Sequence, residues 1–198
     1  MNKIDHRCEK ILFTHNQIVD ACKKAAKWID KKYKNKQLVI VGILNGCVPF
    51  LAELIKHITI DFKLSFVEYH SYYGGVASVK KSQHIANLKV NVANQDVMLI
   101  DDVIDTGWTM SNLKDTLLLE NKAKSVSIMC LVDKPSQHEI TLHNYYSCFK
   151  IKNEFIVGFG LDYKEFMRGL PYIGVLKQSI YKKELKKFKQ ENKRLRGK

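Results

Sequence analysis

Apolar residues recur along this chain with two different periods. From Thr14 onward Ile18, Cys22, Ala25, Ala26, Ile29 and Tyr33 step by three and four, the spacing that lines one face of an α-helix. Thr14 and Gln17 supply the side chains of a capping box, so the helix is predicted to start there. Leu38 to Leu44, LVIVGIL, is apolar throughout and rich in β-branched residues, as suits a parallel strand covered on both faces. Asn45, Gly46 and Cys47 break the run. Pro49, near a first turn, then opens a helix whose Phe50, Leu51, Leu54, Ile55 and Ile58 face inward. Phe62, Leu64 and Phe66 alternate and predict a second strand, continuing through Val67 and Tyr69. A polar segment from Ser71 to Asn87 follows, with Gly74 and Gly75 adjacent; a connection longer than about 12 residues predicts a functional lid or a small hairpin. Val97 to Ile100 is a buried strand that ends at Asp101 and Asp102. Thr109 to Glu120 has helical spacing through Leu113, Leu117 and Leu118, and Val126 to Val132 returns as a strand. Strands alternating with helices predict a parallel α/β sheet whose ligands bind beyond the carboxyl ends of the strands.

Composition narrows the class without changing that picture. At 198 residues and 45% hydrophobic, the chain is expected to form one core with a tail, which excludes a disordered protein and a disulfide-stapled miniprotein. No apolar run approaches the ~18 residues of a membrane span, and the opening MNKIDHRCEK lacks the apolar stretch of a signal peptide. Cys8, Cys22, Cys47, Cys130 and Cys148 are odd in number and scattered, so neither a disulfide framework nor a thiolate zinc site is expected. A reducing, cytoplasmic location follows. The net charge of +13 is concentrated at one end: residues 177–198 hold ten Lys or Arg against Glu184 and Glu191, a balance of +8 that leaves +5 for the rest. Ile180, Leu185 and Phe188 could lay an apolar stripe on the body. Otherwise the basic block reads as solvated or as an arm for RNA or a membrane surface.

The segment most suited to chemistry is VMLIDDVIDTGWTMS, residues 97–111. A buried strand delivers Asp101 and Asp102, the apolar pair Val103 and Ile104 intervenes, and Asp105, Thr106, Gly107, Trp108 and Thr109 turn into a helix. Successive N–H groups entering that helix, with the hydroxyls of Thr106 and Thr109, can cradle an anion at the positive end of the helix dipole. The paired acids can accept hydrogen bonds from a vicinal diol or sit near Mg2+. Receiver domains and Mg-dependent phosphatases also place paired acids at strand ends. A Rossmann or P-loop site is excluded, since the chain has no G-x-G-x-x-G and Trp108, not Lys, follows Gly107.

Residues 97–109 resemble the phosphoribosyl pyrophosphate (PRPP) motif of type I phosphoribosyltransferases, a hydrophobic strand followed by [ED]-D, two apolar residues and D-[TS]-G-x-T. LVDKP, Leu131 to Pro135, and EFIVGFGLDYKEFMRGLPYIGVLK, Glu154 to Lys177, resemble two further segments of the hypoxanthine-guanine branch. The turn VGILNGCVPFLAEL and the Ser71-Tyr72 pair fit as well. The resemblance implies the type I phosphoribosyltransferase fold: a central parallel sheet flanked by helices, with a smaller hood and a mobile loop. It spans a domain of residues 1–177, leaving 178–198 as a basic C-terminal tail, helical or partly disordered.

It also implies a reaction, transfer of 5-phosphoribosyl from PRPP to hypoxanthine or guanine with release of pyrophosphate, and roles for individual residues. Asp105 matches the general acid/base at purine N7. Ile104, Asp105, Thr106, Gly107, Trp108 and Thr109 belong to the phosphate and ribose loop. Asp101 and Asp102 match the acids near the ribose hydroxyls and Mg2+, with Asp101 one methylene shorter than the usual Glu. Lys134 matches the donor to the 6-oxo group, Phe155 the ring that stacks on the purine, and Ile156 the backbone that reads its edge. Asp162 matches a second metal-associated acid beside the purine, and Arg168, with Asn45 and Gly46, the pyrophosphate contacts. Ser71 and Tyr72 match the loop that closes over PRPP to exclude water. Two positions depart from the family pattern: Asn45 stands where Lys or Arg is common, and Glu154 where many relatives have Lys. The implied partners are PRPP, a 6-oxopurine and further copies of the chain as a homodimer or homotetramer; a membrane is not among them. A regulator keeping the PRPP fold and binding RNA through the tail is the alternative, and the joint presence of Asp105, Lys134, Asp162 and Arg168 favours the enzyme.

Overall fold

The computed structural model describes residues 4–69 and 88–182. In chain order the elements are β1 (Cys8–Phe13), α1 (His15–Lys32), β2 (Leu38–Leu44), α2 (Cys47–Leu54), β3 (Phe62–Glu68), β4 (Asp96–Ile104), α3 (Trp108–Leu119), β5 (Ser125–Asp133), β6 (Tyr145–Lys150), β7 (Ile156–Val157) and β8 (Ile173–Leu176). The expected parallel sheet is present, with five strands in the order β3-β2-β4-β5-β6 and every pairing parallel. A second sheet, β1-β8-β7, is antiparallel and forms the hood.

The uninterrupted apolar strands are explained by what covers them. Leu38 and Ile40 of β2 pack toward α1 and α2, with Ile18, Ile29 and Phe50, whereas Val39, Val41 and Ile43 pack toward Met110, Leu113 and Leu117 of α3. Each strand residue therefore meets a helix whichever way it points. The hood sits on the first of these faces: Ile156, Phe159, Leu161, Ile173 and Val175 join the cluster of α1 and α2. Thr14 caps α1 through the predicted box, its Oγ1 accepting from the Gln17 N–H while the Gln17 side chain accepts from the Thr14 N–H.

Three boundaries differ from the sequence pattern. Ile55 lies in a short 3-10 turn, Ile55–His57, and Ile58 is extended, because α2 ends at Leu54. In β3 it is Ser65 and Val67 that are buried, while Leu64 is 36% exposed, since β3 is an edge strand that the helices cover only in part. β4 does not stop at the paired acids but runs on to Ile104. The expected loop residues Ser71 and Tyr72, and the tail after residue 182, lie outside the described residues.

Candidate active site

The length of β4 follows from its neighbours. Its pairing with β2 ends at Gly42 and Ile100, but its pairing with β5 continues to Ile104 opposite Asp133. Asp101 to Ile104 thus project past the last β2 pair as ordered strand, and the turn after β2 folds against them. There Leu44 and Asn45 are joined by a cis peptide bond. Gly46 lies so close to buried Asp102 that a Cβ on it would stand 1.9 Å from Asp102 Oδ2. From the hood, Gly160 presses on the same turn; a Cβ there would fall 2.0 Å from the Gly46 carbonyl oxygen.

The Asp102 N–H donates to Asp101 Oδ1 at 2.9 Å. Burial at the strand end raises the pKa of both carboxyls, and the neighbouring Asp102 charge adds to this for Asp101, which is held well above the usual carboxylate range. Neither forms an ion pair among the described residues. Among the described residues the cleft is lined by Glu68, Asp101, Asp102, Asp105, Glu154, Asp162 and Glu165, against Lys134 and Arg168 as cations. A polyphosphate entering such a surface needs a compensating cation, and two desolvated carboxylates suit Mg2+, which takes one or two carboxylates and completes its shell with water and substrate oxygens. Among the described residues no cluster of three or more His, Cys, Asp or Glu side chains is arranged to hold a metal.

Beyond Ile104 the chain turns through Gly107, whose φ of +91° lies in the left-handed region, and enters α3 without a side-chain cap, so first-turn N–H groups are available to an anion. The loop is braced from outside. The Thr106 carbonyl accepts from Glu139 N–H at 3.0 Å, and Trp108 Nε1 donates to Glu139 Oε2 at 2.8 Å. Ile104 is buried in the core, and its carbonyl accepts from Lys134 N–H at 3.0 Å.

That bond ties the acid strand to the opposite wall. Lys134 follows β5 immediately and is 8% exposed, with Nζ donating to Asp105 Oδ2 at 2.9 Å. The preceding Asp133 is fully buried, its carboxylate 2.7 Å from His138 Nε2 and accepting from Tyr145 OH at 3.1 Å, which anchors the strand end. Phe155 exposes part of its ring beside Lys134 and Ile156. Glu154 is held by Lys10 of β1 at 2.8 Å, so the departure from the family's Lys is electrically balanced from the hood. Arg168 donates to the Gly160 carbonyl at 2.8 Å and pairs with Asp162 at 3.0 Å and Glu165 at 2.8 Å.

One open cleft of about 930 Å³ thus brings together Asn45, Gly46, Asp101, Asp102, Asp105, Thr109, Lys134, Phe155, Ile156, Asp162 and Arg168, residues separated by up to 123 positions in the chain. Ile104, Thr106, Gly107 and Trp108 shape the loop from behind or beside it. Tyr69, Asn153, Glu165 and Tyr181 also line the cleft and were not singled out from the sequence. Glu165 could have been found, since it stands three residues before Arg168 in a polar turn. Tyr181 could not, because it lies in a basic stretch that reads as solvated; Ile180, expected to face the body, is 37% exposed.

Comparison with known proteins agrees with this geometry. Residues 9–164 match the model of the phosphoribosyl transferase domain. The chain is 42% identical over 178 residues to the hypoxanthine-guanine phosphoribosyltransferase of Streptococcus pneumoniae strain R6, covering 90% of this chain and 98% of that protein. It is 42% identical over 180 residues to the enzyme of the same name from Lactococcus lactis, covering 91% and 97%. A crystal structure of a hypoxanthine phosphoribosyltransferase from Staphylococcus aureus superposes with a TM-score of 0.83 at 38% identity, covering 91% of this chain and 98% of that one.

Proposed function

This chain belongs to the phosphoribosyltransferase family, and we propose that it is a purine-salvage enzyme that transfers 5-phosphoribosyl from PRPP to hypoxanthine or guanine, giving IMP or GMP and pyrophosphate. The observation that carries this reading is the Lys134–Asp105 pair at 2.9 Å, which lines the same cleft as the acid pair of β4 and Phe155. A 6-oxopurine stacked on Phe155 presents its carbonyl to a lysine donor and, when N7 carries a proton, that N–H to a carboxylate, so one edge of the base engages both members of the pair.

The other residues divide the remaining work. Asp101 and Asp102 receive the ribose diol side of PRPP, and the α3 N-terminus with Thr109 receives its 5-phosphate. Arg168 and the backbone of Asn45 and Gly46 serve the pyrophosphate, and Asp162 is the metal-associated acid beside the purine. Asp101 and Asp102, with Asp162 as the second metal-associated acid, would hold Mg2+, which would supply neutralisation of charge on the leaving pyrophosphate. Asn45 supplies no cation where the family commonly does, which supports weaker PRPP binding than in a typical member. The family supports a homodimer or homotetramer, which light scattering reads directly. No helix among the described residues is long and apolar enough to cross a membrane, and the five cysteines, all without disulfides, suit the reducing cytoplasm. The RNA-binding alternative rests on the tail alone.

The test is nucleotide formation from hypoxanthine, guanine, xanthine and adenine with PRPP and Mg2+. Product from hypoxanthine or guanine is expected, with a loss of about 10²- to 10⁴-fold in kcat for Asp105→Asn. No product from either base, or an unimpaired Asp105→Asn variant, would refute the assignment.

A further inference from the structure

The C-terminal extension opens on an exposed stretch, residues 177–182, in which Tyr181 is the one partly buried side chain among the described residues. After β8, Lys177 N–H donates to the Arg7 carbonyl at 2.9 Å, and Ile180 N–H returns to the Lys177 carbonyl at 2.9 Å, so the chain turns into a helical stretch over 178–182. Tyr163 OH donates to the Ile180 carbonyl at 3.4 Å. This turn lays the Tyr181 ring on Phe155, with centroids 5.0 Å apart and planes inclined by 30°. Tyr163 meets the same ring edge-on, at 5.7 Å and 81°. Tyr181 also packs against the hood cluster of Val157, Met167 and Tyr172.

Phe155 needs such support. It precedes the two-residue strand β7, its backbone is held through one bond in which its carbonyl accepts from Leu176 N–H at 2.8 Å, and its side chain is 37% exposed. A half-exposed ring on a strand that short would be free to turn about its side-chain torsions. A tilted aromatic neighbour, Tyr181, and an edge-on one, Tyr163, restrict that freedom, and Phe155 and Tyr181 both line the cleft.

We propose that Tyr181 is a positioning residue of the base pocket, holding Phe155 as a flat platform for a planar bicyclic base, so that the first turn of the C-terminal extension belongs to the binding site. The role rests on the reading of Phe155 as the purine-stacking ring. Losing a preorganised aromatic pair is worth roughly 2- to 10-fold in affinity. The effect should fall on the base and not on PRPP, whose contacts lie on β4, α3 and the turn after β2.

The experiment compares the full chain with its Tyr181→Ala and Tyr181→Phe variants. It measures KM for guanine and for PRPP, thermal midpoints, and calorimetric affinity for GMP. Tyr181→Ala is expected to raise the guanine KM and the GMP Kd about 2- to 10-fold and the PRPP KM less than 2-fold. Tyr181→Phe should restore both. Three results would overturn the proposal: an unchanged guanine KM in Tyr181→Ala, equal rises for guanine and PRPP, or a lower guanine KM, which would mean that Tyr181 occupies the place of the base. Failure of the functional reading is seen separately, as a full-chain protein that forms no nucleotide. GMP affinities then still decide whether Tyr181 supports the pocket, and a full chain that does not bind GMP overturns both.

Discussion

Gly46→Ala separates want of space from want of backbone freedom. Gly46 has φ −64° and ψ −34°, a conformation any residue adopts, so alanine carries no backbone penalty there. Space is the obstacle: the added Cβ would stand 1.9 Å from Asp102 Oδ2 and 2.5 Å from Asp102 Cγ. Reaching an ordinary contact of about 3.4 Å requires a displacement of roughly 1.5 Å. The turn cannot take it up by moving away, because a Cβ at Gly160 would already be 2.0 Å from the Gly46 carbonyl. The carboxylate of Asp102 must therefore move, and a misplacement of this size in a site that orients a diol and a metal costs about 10²-fold in kcat/KM. Overpacking should also cost about 1–3 kcal/mol, a fall of roughly 2–12 °C in Tm for a chain of this size. Steady-state phosphoribosyl transfer and calorimetric melting read the two effects. Gly169→Ala is the control, since a Cβ there meets nothing within 4 Å, and it should be neutral in both. If Gly46→Ala keeps kcat/KM within threefold of the parent, the close approach of turn and carboxylate does not matter and the reasoning fails.

Gly107→Ala tests the opposite cause: its φ of +91° should cost about 1–2 kcal/mol, while the Cβ contacts, 3.0 Å to Ile140 and 3.3 Å to Leu142, are with side-chain ends that can give. Gly107→Asn, which tolerates the left-handed region better, should lose less Tm than alanine; the reverse order would assign the glycine to space. Asp101→Asn should raise Tm without added Mg2+, because it removes a desolvated charge beside Asp102, and should lower kcat/KM about 10- to 100-fold; a variant both less stable and fully active would contradict the pair's role. Asp5 is held well below the usual carboxylate range by hydrogen bonds from the Arg7 side chain and N–H. Because its folded pKa is depressed, its contribution is complete above the unfolded value of about 3.9 and fades as pH falls through the folded one. Asp5→Asn should then lower Tm by roughly 3–6 °C at pH 7 and by progressively less below about pH 4, as melting across pH would show.

Much of the site was legible because its chemistry lies in short contiguous motifs. Residues 97–109 contain the acids, the turn glycine and the helix start, and each is dictated locally: an apolar strand, a residue that accepts positive φ, and an uncapped first turn. LVDKP likewise announces a strand end followed by a lysine. The family resemblance extended this to Phe155, Asp162 and Arg168, whose residue types alone would have read as core or solvent-facing. The two departures illustrate the limit. Glu154 looked like a changed charge in the pocket, but Lys10, 144 positions away, pairs with it.

The periodicities of this chain were enough to specify a parallel sheet with helices on both faces, because burial on two sides demands continuous apolar strands and burial on one side demands a helical stripe, and both requirements are written residue by residue. What they could not specify was register and proximity. β4 continues past Ile100 only because β5 runs beside it that far; Gly46 is a glycine because Asp102 and Gly160 close on it from two sides; and Tyr181 leaves solvent because β8 returns the chain to Phe155. Each of these depends on contacts between residues distant in sequence, and such contacts exist only once the sheet and the hood have docked.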